Sequence, residues 1–160
     1  MTASCFFSLN GQNLSALVCA GLGSMPAFSG GPAYLNDPAK VAVVNNGPLP
    51  AGRYYIVSRQ SGGKLGWLRE LIAERASGAG RSEWFALYRI DGKIDDFTFV
   101  EGVRRGNFRL HPIGRRGISE GCITLLSLTQ FNRLRTHLLS QESKLIPGTN
   151  IKYFGTVDVR

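Results

Sequence analysis

The residues best suited to covalent chemistry fall in one stretch, "RLHPIGRRGISEGCITL", Arg109 to Leu125. It holds His111, one of two histidines, and Cys122, one of three cysteines, eleven positions apart. A thiol with a pKa near about 8.5 is only slightly ionised at neutral pH, so a nucleophilic cysteine needs a base or positive surroundings. His111 ends one strand-like run and Cys122 begins the next, "CITLL". The "PIGRRGISEG" between them can loop so that the two strand ends meet. Arg115 and Arg116 in that loop can favour the thiolate or bind a substrate carboxylate. Gly121 allows a sharp turn and close approach of a substrate carbonyl, and backbone N–H groups around Gly121 and Cys122 are candidate oxyanion donors. Ser119 can hold the loop or orient the imidazole, a role a backbone carbonyl could also fill. Glu120 is expected to point away, because a carboxylate beside the sulfur would raise its pKa.

The competing reading is structural. Cysteine is commonly a small buried hydrophobe, and a His-Pro pair often just ends a strand. Chain order narrows the enzymatic alternatives. Papain-like and NlpC-type peptidases carry the cysteine before the histidine, the reverse of this chain. Caspases share the order but need a Gln-Ala-Cys signature that is absent here. Sortases have a much longer gap and a downstream arginine. His137 lies among Arg133 and Arg135 in a helical pattern and reads as a surface or boundary residue.

The elements that must position this stretch are mostly β. "CFFSL" and "LSALV" flank Asn10-Gly11, a hairpin signal, because both turn residues tolerate positive φ. "VAVV", "RYYIVS", "WFALYRI", "KIDDFTFV", "NFRLH" and "NIKYFGTVDV" read as further strands, with Asp91-Gly92 predicting a second hairpin. Two segments carry helical spacing. "GWLRELIAERASG" has Trp67, Leu68, Leu71 and Ile72 and ends in glycines. "SLTQFNRLRTHLLSQ" opens with Ser127 and Gln130 as a capping box, with an apolar stripe of Phe131, Leu134 and Leu138. The expected fold is mainly β, a sandwich or a partly closed barrel with two short helices, in a single domain spanning residues 1–160.

Composition is that of an ordinary globular domain, with 43% hydrophobic and 19% charged residues. No apolar run approaches the roughly 18 to 20 residues of a membrane span. The N-terminus has no basic region before its apolar residues and does not read as a secretory signal peptide. A net charge of +8 suggests an anionic partner: nucleic acid, anionic lipid or an acidic wall polymer. No RNA-binding signature accompanies it, which argues against nucleic acid. The cysteine spacing forms no zinc motif, so no metal is expected. Cys5 and Cys19 bracket the first hairpin.

"HPIGRRGISEGCITL" resembles the active-site signature of L,D-transpeptidases (YkuD-like catalytic domains), a spaced histidine followed by Ser-His-Gly-Cys. The blocks "AFSGG", "NNGPLPAGRYYIVSRQSGGKLG", "WFALYRIDGKIDDFTFVEGVRRGNFRLHP" and "GISEGCITL" together resemble the type VI secretion L,D-transpeptidase effector (Tlde) family, from about Phe6 to Leu139. Carried over by position, Cys122 matches the nucleophile, His111 the general base, and Ser119 and Gly121 the flanking motif. "GPLPAGRYYI" resembles a structural strand of the broader transpeptidases. Glu120 stands where the classical motif has histidine, and Thr124 where it has arginine or asparagine. The gap from histidine to cysteine is also shorter. These departures fit the effector branch better than classical wall cross-linking.

The resemblance implies a substrate, the peptide stem of bacterial peptidoglycan, cut between meso-diaminopimelate at position three and D-alanine at position four. It implies a thioester resolved by water, as L,D-carboxypeptidase action, or by a free D-amino acid, as exchange. It implies no cofactor, delivery from the producer's cytoplasm into the target periplasm by the type VI apparatus, and a periplasmic immunity protein. The N-terminal stretch, residues 1–25, is available for loading, and the default assembly is a monomer. A reducing producer cytoplasm disfavours a Cys5–Cys19 disulfide, whose formation stays open. Two other functions remain at this level: a non-catalytic murein- or anion-binding module, and a cysteine endopeptidase that cuts cross-links.

Overall fold

The computed structural model describes residues 1–58, 83–114 and 119–160. Strict alternation sets its first strands. In β1 (Ala3–Phe7), Ala3, Cys5 and Phe7 are buried while Ser4 and Phe6 face out. In β2 (Ser15–Cys19) the buried set is Ser15, Leu17 and Cys19. A residue period of two with one face apolar fixes register, because a slip by one would expose the whole set.

The remaining strands are β3 (Gly23–Phe28), β4 (Gly52–Ser58), β5 (Phe85–Arg89), β6 (Phe97–Val100), β7 (Val103–Gly106), β8 (Arg109–Pro112), β9 (Ile123–Leu125), β10 (Lys144–Leu145) and β11 (Lys152–Val159). The main sheet runs β1-β2-β3-β9-β8-β5-β4-β11, and a parallel pairing of β1 with β11 joins its ends. The choice between sandwich and barrel is thereby resolved as a closed barrel. Closure leaves no open edge along the paired strands. Gly155 makes the seam possible: a Cβ there would come within 2.7 Å of the Ala3 carbonyl oxygen. β10 pairs with the first residues of β11, beyond the stretch that β1 occupies.

The barrel interior and one helix share a single core. It includes Phe7, Leu17, Leu49, Tyr54, Ile56, Leu87 and Leu110, with Ile123, Leu125 and Val157. The helix α1 (Leu128–Ser140) starts where its sequence says it should: Ser127 is the N-cap, and its hydroxyl accepts from the Gln130 N–H. Its stripe of Phe131, Leu134 and Leu138 is fully buried in the same core. Val57, Ala86, Tyr88 and Ile146 form a second cluster. Tyr54, deep in the main core, donates its hydroxyl to the Pro50 carbonyl at 2.7 Å, and burial raises its pKa strongly.

Several expectations change. "VAVV", residues 41–44, is not a strand. It follows a 3-10 turn at Pro38–Lys40 capped by Asp37, and its backbone groups close local turns such as Val43 N–H to Lys40 O. The chain does turn at Asp91-Gly92, but β5 then pairs with β4 and β8, not with β6. Asp91 is held by the Lys93 N–H and the Thr98 hydroxyl. β6 pairs instead with β7 across Glu101-Gly102, at φ 51° and 76°. Positive φ at both central residues matches the two-residue hairpin turn that suits strand twist. The first hairpin forms, though as a longer connection from Ser8 to Leu14, in which the Asn10 side chain binds the Gln12 N–H and the Leu14 carbonyl. Cys5 and Cys19 face each other in its register and are joined by a disulfide. β3 is a strand that the sequence reading did not single out. The helical segment "GWLRELIAERASG" lies outside the described residues.

Candidate active site

β8 and β9 run parallel at the centre of the site, with Leu110 opposite Ile123 and His111 opposite Thr124. Leu110, Ile123 and Leu125 enter the core. Alternation therefore sends His111 and Thr124 to the other face, and Cys122, just ahead of β9, falls on that same face. Parallel pairing thus does what the sequence loop suggested, setting His111 and Cys122 on neighbouring strand ends, two residues apart in register. Both are nearly buried, at 6% and 9% exposure.

The imidazole is fixed on three sides. Its Nδ1 lies 2.7 Å from the Pro112 carbonyl oxygen, so the tautomer that bonds there carries its proton on Nδ1. Nε2 is then the basic nitrogen, 3.4 Å from the Thr124 hydroxyl. Trp84, immediately before β5, stacks on the ring at 4.2 Å between centroids and 19° between planes. Thr124, noted in the sequence only as a departure from the transpeptidase motif, thus meets the basic nitrogen of the imidazole. Trp84 was not singled out. It faces His111 because β5 pairs antiparallel with β8, a long-range register that a local reading does not reveal.

Ser119 is fully buried and stitches the cysteine backbone in both directions. Its hydroxyl donates to the Cys122 carbonyl at 2.9 Å and accepts from the Cys122 N–H at 3.1 Å. It also accepts from the Gly30 N–H at 3.4 Å, which ties the Cys122 turn to the segment after β3. The Cys122 N–H is consequently engaged with Ser119 in this state. Gly121 has φ 96°, and a Cβ there would stand 2.5 Å from Nη2 of Arg105. Both the left-handed backbone and the space require glycine.

Arg105, which the sequence reading did not single out, is buried at 3% exposure under this turn. Its guanidinium donates to the carbonyls of Val41, Gly47 (3.0 Å) and Pro48 (3.3 Å). A buried charge needs such a set of acceptors. One of them, Val41, lies in the segment where a strand had been expected, and the other two follow it. Arg109 makes a two-pronged ion pair with Asp96, both contacts 2.7 Å. Burial alone would lower its pKa, but the Asp96 carboxylate outweighs burial and raises it.

Burial favours the neutral form of the thiol. Burial pushes Cys122 up to about 11, against the backbone bond and charge of Arg109, while Glu120 and Asp96 raise it further. Sγ approaches the Asn107 carbonyl at 4.0 Å. Glu120 is exposed, yet its charge still reaches the thiol and raises its pKa, so the expected separation of carboxylate and sulfur is not complete. It lines a cavity of about 190 Å³ together with Arg104, Arg105, Asn107, Asn45 and Phe97. Arg115 and Arg116 lie outside the described residues. His137, on α1, is half-buried and packs near Gly21.

A buried cysteine and a tautomer-fixed histidine on adjacent strands of a closed barrel form a constellation of the kind used in acyl-transfer chemistry. The model of the Tlde1 domain matches residues 23–149, and the chain belongs to that family. No curated protein and no solved structure matches the chain significantly.

Proposed function

We propose that this chain is an antibacterial type VI secretion effector that trims and exchanges peptidoglycan stem peptides through a Cys122 thioester. Cys122 Sγ attacks the carbonyl carbon of the amide between diaminopimelate and the terminal D-alanine. His111 Nε2 takes the thiol proton and returns it to the departing amine, so D-alanine leaves and an acyl-thioester remains. Water, deprotonated by His111, then releases the tripeptide and restores the thiol. A free D-amino acid attacking in its place gives exchange. Arg115 and Arg116 are assigned to the stem carboxylates by the sequence.

The observation that carries this reading is the pairing of a fixed Nδ1–H···Pro112 O bond with a cysteine on the same face of the neighbouring strand. A backbone carbonyl in the orienting position holds the ring proton on Nδ1 and makes Nε2 the basic nitrogen. A thiol that burial holds in its neutral form supports a general-base role for His111 over a resting ion pair. The indole of Trp84 favours the imidazolium that forms, since a cation is attracted to the ring face. Family membership supports the effector role and, with it, an immunity partner.

The test is mass spectrometry of muropeptides after incubation with sacculi. Wild-type protein is expected to convert tetrapeptides to tripeptides and, with added D-amino acid, to exchanged tetrapeptides. Cys122→Ala should abolish both, and His111→Ala should slow both by roughly 10²- to 10⁴-fold. Conversion of cross-linked dimers to monomers without stem trimming would mean an endopeptidase. An unchanged profile would mean a binding module.

A further inference from the structure

We infer that the cavity beside Cys122 is a clamp for a zwitterionic amino-acid head, with Arg104 gripping its carboxylate and Glu120 its ammonium group. This deepens the reading above and rests on it. The cavity holds about 190 Å³ and has both an arginine and a glutamate in its lining. Among the described residues neither charge is spent elsewhere: Arg104 only lies over the Phe97 ring at 3.8 Å, and Glu120 makes no hydrogen bond or ion pair. Opposite charges that share a wall yet stay apart leave room for a guest that carries both signs. Arg105, by contrast, is engaged by three backbone carbonyls.

The remaining lining fits the same guest. Asn45 and Asn107 hold positive φ, 62° and 58°, and both are exposed residues of the lining. Such residues adopt the left-handed region far more readily than branched ones. Cys122 lies next to the cavity and not in its lining: the carbonyl of lining residue Asn107 is 4.0 Å from Sγ, and lining residue Glu120 is two residues before Cys122. The side chain of a diaminopimelate acyl donor ends in an α-amino acid head about five bonds from the carbonyl that Cys122 would attack. A free D-amino acid acceptor carries the same head. A guanidinium meets a carboxylate through two parallel bonds, and a carboxylate meets an ammonium through one or two. Glu120, in the position where transpeptidases have histidine, then acts in substrate selection.

The experiment compares D-alanine release from tetrapeptides carrying meso-diaminopimelate or L-lysine at position three, and exchange with D-methionine, for wild type, Arg104→Gln and Glu120→Gln. Loss of one charged hydrogen bond should lower kcat/KM about 10- to 100-fold. If the donor head occupies the clamp, wild type prefers diaminopimelate. Arg104→Gln abolishes that preference by losing rate on diaminopimelate stems alone, and Glu120→Gln loses rate on both stems. If the acceptor head occupies it, trimming is unchanged and the concentration of D-methionine needed for half-maximal exchange rises by the same factor. Both results support the clamp and tell its two guests apart. Variants that match wild type on every substrate overturn it. Failure of wild type to release D-alanine from any stem overturns the parent reading instead. Calorimetric binding of tripeptide to Cys122→Ala, with and without Arg104→Gln, gives a readout independent of turnover.

Discussion

Cys122 and His111 show how a residue's surroundings set its chemistry. An exposed cysteine would carry some thiolate at neutral pH, but burial pushes this one up to about 11. The folded protein therefore holds the thiol proton more tightly than the unfolded chain does. Stability from this group is complete below its ordinary pKa of 9.0 and is lost as pH rises toward about 11. The urea midpoint should fall between those pH values in wild type and much less in Cys122→Ala. Alkylation of the native thiol by iodoacetamide should be slow at pH 7.5 and rise with pH well beyond the range seen for the urea-unfolded chain. A flat, fast reaction from pH 6 to 8 would reveal a thiolate–imidazolium pair at rest and contradict the general-base assignment.

At the scale of elements, the β1–β2 hairpin carries more than its two strands. β1 seals the barrel against β11, and the Cys5–Cys19 disulfide ties it to β2. The bridge closes a loop of 14 residues in sequence separation, which should stabilise the fold by about 3 kcal/mol, mainly by restricting the unfolded chain. Cys5→Ser with Cys19→Ser should lower the urea-derived stability by about that amount while preserving turnover, since neither residue touches the His111–Cys122 face. Loss of turnover without loss of stability would assign the hairpin a part in the site. The sequence made the mostly β class legible through two-residue alternation, and α1 through its cap and stripe, because both signals are local. It also marked His111 and Cys122, whose spacing is local too. What it did not reveal depends on distant pairing: barrel closure by β1 and β11, Trp84 over His111, and Arg105 beneath Gly121. "VAVV" misled because an apolar run of four matches a strand whether or not a partner strand exists. Glu101-Gly102 escaped notice because its turn uses a residue outside the usual asparagine and aspartate set.

For the whole molecule, the net charge of +8 has a physical consequence that is separate from catalysis. A basic protein accumulates at an anionic polymer and is held there less firmly as salt rises. Under the proposed function that polymer is the wall of the target cell, and the scissile stems lie only outside the inner membrane. Location should therefore decide toxicity. Directed to the periplasm of a Gram-negative cell, the wild-type chain should lyse or round the host as tetrapeptide stems disappear. Kept in the cytoplasm, it should have little effect. The difference has two physical sources, substrate access and the oxidising conditions that preserve Cys5–Cys19, and the variants separate them. Periplasmic Cys122→Ala should be harmless at equal abundance. Periplasmic Cys5→Ser with Cys19→Ser should still kill wherever enough folded protein accumulates, because the missing bridge lowers stability but leaves the nucleophile in position. The measurement is viable count alongside muropeptide composition and protein level for each variant in each compartment. Killing by Cys122→Ala as strong as wild type, or equal killing from the cytoplasm, would move the target away from the peptidoglycan stem.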